Sequence, residues 1–129
     1  MTEGKISPHA GRELSLMLAG KKPAAMFGYE KDCPMDGREG DVFFAHVRAG
    51  TFVHRWHICP AWGVEHHYFS LPDETWRIAV LQMLAIDKST DGRMLKWLGA
   101  DAFFGLTGRL LGYSARDVDA YVAGRNGPC

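Results

Sequence analysis

The sequence predicts an α+β fold: a small antiparallel sheet of two or three strands, helices packed mainly on one face, and an all-helical C-terminal half. Three observations point there. Residues 51–59 (TFVHRWHIC) and 64–71 (VEHHYFSL) are rich in β-branched and aromatic side chains, and Pro60-Ala61-Trp62-Gly63 separates them as a hairpin loop. From residue 72 onward, apolar residues recur at helical spacing between capping residues and glycines. The chain has 129 residues, is 47% hydrophobic and 23% charged, and no repeat, low-complexity run or linker divides it. Residues 1–129 are therefore expected to form one compact α+β domain.

In chain order, Ser7-Pro8 opens a first helix with a cap and a proline at its first position. Leu14, Met17 and Leu18 follow at helical spacing, and Gly20 ends it. Lys21 and Lys22 suit the negative end of that helix, and Pro23 prevents its continuation. Residues 24–29 are short and apolar, a weak strand signal because alanine packs poorly on a pleated surface. Residues 30–41, with Pro34, Gly37 and Gly40, read as a loop. Asp41 can cap a short helix over 42–48 that turns Phe43, Phe44 and Val47 inward, with Gly50 closing it.

After the hairpin, Pro72-Asp73 starts a helix whose stretch 76–86 is apolar on nearly every side, interrupted only by Arg77 and Gln82. Such a helix is expected to lie between the sheet and the remaining helices, buried all round. Asp91 can cap a helix over 93–98 ended by Gly99, and Asp101 one over 102–111 closed by Gly112. Ser114-Ala115-Arg116-Asp117 resembles a capping box for a last helix ending near Gly124.

Hairpin register decides which side chains meet. If Cys59 pairs with Val64, one face carries Phe52, His54, Trp56, Ile58, His67, Phe69 and Leu71. The other carries Val53, Arg55, His57, Cys59, His66, Tyr68 and Ser70. The first face is the more apolar and is expected to pack on the core.

Composition excludes several classes. Fifteen basic residues balance fifteen acidic ones, which leaves no surplus of cations for phosphate contacts or a polybasic membrane anchor. No segment has the roughly 20 apolar residues of a membrane-spanning helix, and the first twenty residues carry no signal-peptide core. Cys33, Cys59 and Cys129 are odd in number and widely spaced, a poor disulfide framework. A cytoplasmic location with free thiols is expected.

The densest chemistry is in the hairpin: His54, His57, Cys59, His66 and His67. Imidazole and thiolate are zinc's preferred ligands, and in the register above His57 faces His66 with Cys59 on the same side. Those three are the candidate metal ligands, although their spacing matches no metal motif. Otherwise no cofactor is expected. Cys59 with His57 lacks the third group that a nucleophilic centre needs, and no GxSxG elbow or phosphate-binding glycine loop occurs. The segment 110–122 has the outline of a helix-turn-helix, but Asp117 and Asp119 would repel a duplex.

The residues thus favour a non-enzymatic interaction module that binds a protein partner or itself through the second hairpin face. Arg55, Trp62 and Tyr68 are the expected contact residues, as aromatic and arginine anchors are at interfaces generally. A metal-binding protein or metal-dependent hydrolase is the alternative, and a helix-turn-helix DNA binder the third reading.

Overall fold

The computed structural model describes residues 8–29, 39–59 and 63–124. Its elements are α1 (Glu13–Leu18), β1 (Ala24–Tyr29), a 3-10 turn (Glu39–Phe43) running into α2 (Phe44–Arg48), β2 (Val53–Cys59) and β3 (Val64–Ser70). A short 3-10 turn (Pro72–Glu74) then opens α3 (Thr75–Ser89), followed by α4 (Arg93–Leu98), α5 (Ala100–Leu110) and α6 (Ala115–Gly124). The strands form an antiparallel sheet in the order β1-β3-β2, so the fold is α+β with an all-helical C-terminal half. Ser7, Cys33, Trp62 and Cys129 lie outside the described residues.

The hairpin takes the register that pairs Cys59 with Val64 and His57 with His66. The alternation of side chains then follows the two faces named above. β1 joins the outer side of β3, with Met26 opposite Tyr68 and Phe27 opposite His67. Weak strand propensity is overridden there because Ala24, Ala25, Met26 and Phe27 are buried whichever way they point.

Both faces of the sheet are covered: the first face meets a core cluster as expected, and the second face meets another. On the first face, Phe27, Phe52 and Phe69 pack with Phe43 and Met17 beneath α1 and α2. The larger cluster lies on the second face, where Met26 and Tyr68 meet Ile78, Leu81 and Leu84 of α3 and, behind them, Phe103, Leu110 and Tyr121. Two histidines made this face look polar. The adjoining β1 residues and the Tyr68 ring supply the apolar surface that the hairpin alone lacks.

The central helix α3 also differs from expectation. One side is buried between the sheet and α5, but Trp76, Met83 and Ile86 are about half exposed, because no other described element covers the outward side. Asp91 does not cap α4. Its carboxylate pairs with Arg93 at 2.9 Å, while the Asp87 carboxylate accepts from the backbone N–H groups of Met94 and Leu95 at 3.0 and 3.1 Å. Ser114 does cap α6, its Oγ accepting from the Asp117 N–H at 3.2 Å.

Lys22 serves a different helix from the one expected. It is fully buried, and its ammonium donates to the Leu111 carbonyl at 2.6 Å, beyond the last turn of α5, and to His9 Nδ1 at 2.9 Å. A cation there offsets the partial negative charge of the helix end. Close by, Gly112 has φ +88°, and a Cβ on it would stand 2.5 Å from Pro23 Cδ. That position therefore requires glycine on both conformational and steric grounds.

Candidate functional site

The hairpin places a histidine pair on each face of the sheet. On the second face, the His57 and His66 rings stack at 5.0 Å between centroids and 21° between planes. The Tyr68 ring continues the column, 5.6 Å from His57 and 17° from coplanar. β1 contributes Gly28 opposite His66, so the residue paired with that imidazole carries no side chain. Three polar atoms in this column are buried without a hydrogen-bond partner: His57 Nε2, His66 Nδ1 and Tyr68 Oη. An unmet buried polar group of this kind costs about 1–3 kcal/mol.

On the first face the chemistry closes on itself. His67 Nε2 donates to Glu65 Oε1 at 2.5 Å, and in the neutral ring this leaves His67 Nδ1 as the acceptor for His54 Nε2 at 2.9 Å. The carboxylate thereby sets the tautomer of both rings in turn. Glu65 and His67 are two apart on β3, the spacing that puts strand residues on one face. That i, i+2 spacing is the sequence signal for the pairing, while the candidate metal ligands His57, Cys59 and His66 lie on the other face.

Electrostatics separate the groups from ordinary surface histidines. Burial, reinforced by the neighbouring His57, pulls His66 down to about 4. Burial lowers His57 and His54 as well, the latter with help from His67. The Tyr68 hydroxyl is pushed up by burial. Near neutral pH the column is therefore uncharged, able to exchange hydrogen bonds but not to supply a counter-charge.

His66 forms part of the wall of a pocket of about 280 Å³ between the sheet and the C-terminal helices. Met26 and Val64 accompany it on the sheet side, Leu81, Leu84 and Ala85 come from α3, and Phe103, Phe104 and Tyr121 close the far side. The other wall residues that carry polar groups are Lys88, Thr107 and Tyr121. The Lys88 ammonium sits 5.3 Å from the centre of the Phe104 ring, and the Thr107 hydroxyl donates to the Phe103 carbonyl at 3.2 Å. The wall is thus mostly apolar, with the His66 imidazole set into its sheet side.

The three candidate metal ligands do lie on one face, as the register required. The His57 and His66 rings stack there, 21° from parallel. No group of three histidine, cysteine or acidic residues among the described residues is arranged to hold a metal ion. Cys59 is buried with a free thiol.

Of the expected contact residues, Arg55 is exposed, but Tyr68 is fully buried beneath α3 and offers nothing to a docking partner. That placement of Tyr68 is a correction, and its cause is the larger core on the second face. Trp62 lies outside the described residues. Among the described residues of the hairpin, the exposed aromatic is Trp56, on the opposite face, with Ile58 also exposed there.

None of the described helices is long and apolar enough to cross a membrane. Comparison with protein-family models, with curated proteins and with solved structures finds no match.

Proposed function

We propose that this protein binds a small, largely apolar molecule carrying one neutral hydrogen-bonding group, such as a hydroxyl or carbonyl. The observation that carries this reading is the unpartnered His57–His66–Tyr68 column behind an apolar pocket into whose wall His66 is set. Binding sites of this type combine mostly apolar walls with a few placed polar groups. The size fits as well. A dry cavity of about 150 Å³ accommodates benzene, so 280 Å³ suits a molecule of roughly two fused rings or an equivalent branched chain.

The preference for a neutral group follows from electrostatics. A charged ligand group would lose its hydration against an imidazole that is itself neutral.

The test pairs two probes of equal shape, naphthalene and 1-naphthol, in calorimetric titrations of the wild-type protein and of His66→Phe. Wild type is expected to bind 1-naphthol about tenfold more tightly, one hydrogen bond's worth. His66→Phe should erase that difference. Equal affinity of wild type for both probes, or no binding of either, rejects the proposal. Native mass spectrometry of untagged protein separates it from the zinc reading, because zinc that is lost on joint replacement of His57 and His66 by alanine would favour a metal site.

A further inference from the structure

We infer that two copies of this chain associate through the outer edge of β2, joining their sheets into one six-stranded sheet. Among the described residues, β2 pairs with β3 on one side only, so its other row of backbone N–H and C=O groups has no strand beside it. Open edges are ordinarily protected by lysine, proline, bulges or brevity, since they template pairing with another chain. β2 has seven residues in unbroken register with β3, no proline and no lysine, and Arg55 as its sole charge.

The surfaces flanking that edge are apolar on both faces of the sheet. Trp56 is 55% exposed and Ile58 53% on the first face. On the second face the edge is bordered by α3. There Gln82 Nε2 lies 3.4 Å from His57 Nδ1 of β2, and the next strip of the helix surface presents Ala79, Met83 and Ile86 outward. These three fall at the i, i+4 and i+7 spacing of one helical stripe. A molecule that laid a strand along β2 would therefore need a helix with an apolar face beside it and an apolar residue on the other side. A second copy, rotated about a twofold axis, supplies both.

The axis is placed by the strand itself. β2 runs from Val53 to Cys59, so an antiparallel pair centred on Trp56 uses all seven residues. It sets Trp56 against its own copy, His54 against Ile58, and Arg55 against His57. Moving the centre to Arg55 would oppose two guanidinium groups and shorten the ladder. With fifteen cations and fifteen anions in each chain, no net repulsion keeps two copies apart.

Sedimentation velocity over a concentration series tests this on the full chain. Wild type is expected to dimerise. Trp56→Lys and Met83→Lys, on opposite sides of the edge, should each weaken the dimer roughly a hundredfold by opposing like charges across the axis. Trp97→Lys changes the most exposed tryptophan, on α4, and should leave the dimer unchanged. Far-ultraviolet circular dichroism verifies that each variant is folded. In a Cys33→Ser, Cys129→Ser background, Trp56→Cys should form an intermolecular disulfide on oxidation. A wild-type protein that stays monomeric throughout the series overturns the inference. So does a dimer that survives both lysine variants, or one that only Trp97→Lys disrupts.

Discussion

The two histidine pairs of this sheet use the same residues on the same two strands, and they differ in what surrounds them. His66 and His67 are adjacent on β3 and almost equally buried, at 8% and 6% exposure. His67 has Glu65 on its own face, and the Glu65–His67–His54 chain gives both ring nitrogens of His67 a partner. His66 has Val64 in the corresponding position, two residues before it, and ends with an unpartnered Nδ1 beside a pocket. Burial is therefore not what marks a site in this protein. The distinction is whether the fold itself satisfies the buried polar group or leaves that to something else.

The largest expected effect is on the pH dependence of stability. Folded His66 titrates at about 4 against 6.5 for an unperturbed histidine. Between these values the unfolded chain takes up a proton that the folded chain refuses. The contribution is fully present above about pH 6.5 and is lost as pH falls toward 4, by up to about 3 kcal/mol. His9, lowered to about 4 by burial and by Lys22, acts in the same direction. Urea unfolding at a series of pH values should show this loss, and His66→Phe should reduce it to the part due to His9 and to the smaller contributions of His57 and His54, which burial also lowers. An unchanged pH slope in His66→Phe would mean that the second pair is not buried in its neutral form.

Removing the partner of the first pair is the next test. Glu65→Ala strips the acceptor from His67 Nε2 and should cost about 2 kcal/mol, read as a lower urea midpoint. By contrast, His66→Phe removes a group with an unmet nitrogen and is expected to be neutral, or stabilising by about 1 kcal/mol, at pH 7.5. If both substitutions cost the same, the two pairs are equivalent and the comparison fails.

The subtlest experiment gives the second pair what the first already has. Val64 stands to His66 as Glu65 stands to His67, so Val64→Glu should bring a carboxylate to the imidazole. The His66 ring protons, followed by NMR, should then titrate higher than in wild type, because a nearby anion favours the charged imidazole. The same carboxylate would occupy the pocket and abolish 1-naphthol binding. Retained binding in Val64→Glu would show that the ligand sits elsewhere.

Much of the architecture was legible before any coordinates. The four-residue spacer 60–63 between two β-branched, aromatic runs led to the observed register, and with it to the opposition of His57 and His66. Ser114 announced α6 because a capping hydroxyl acts on its own next turn, a purely local interaction. Asp87 was missed as the cap of α4 for the opposite reason. It reaches Met94 and Leu95 across a chain reversal, which no i, i+3 pattern reveals. Lys22 follows the first helix in sequence, yet its ammonium bonds to the Leu111 carbonyl, 89 residues away.

What the sequence determined by itself was everything set by neighbours within a few positions. That covers the α+β class, the alternation of the hairpin faces, the helix boundaries marked by Gly20, Gly99 and Gly112, and the want of a complete catalytic motif. Only the tertiary structure decided which face received the larger core, that Tyr68 is buried while Trp56 is exposed, and that one histidine pair meets a carboxylate while the other borders a pocket. The physical reason is that burial and hydrogen-bond partnership depend on surfaces from several segments at once. Met26, Leu81 and Phe103 surround the same space from β1, α3 and α5, and no spacing along the chain records that they meet.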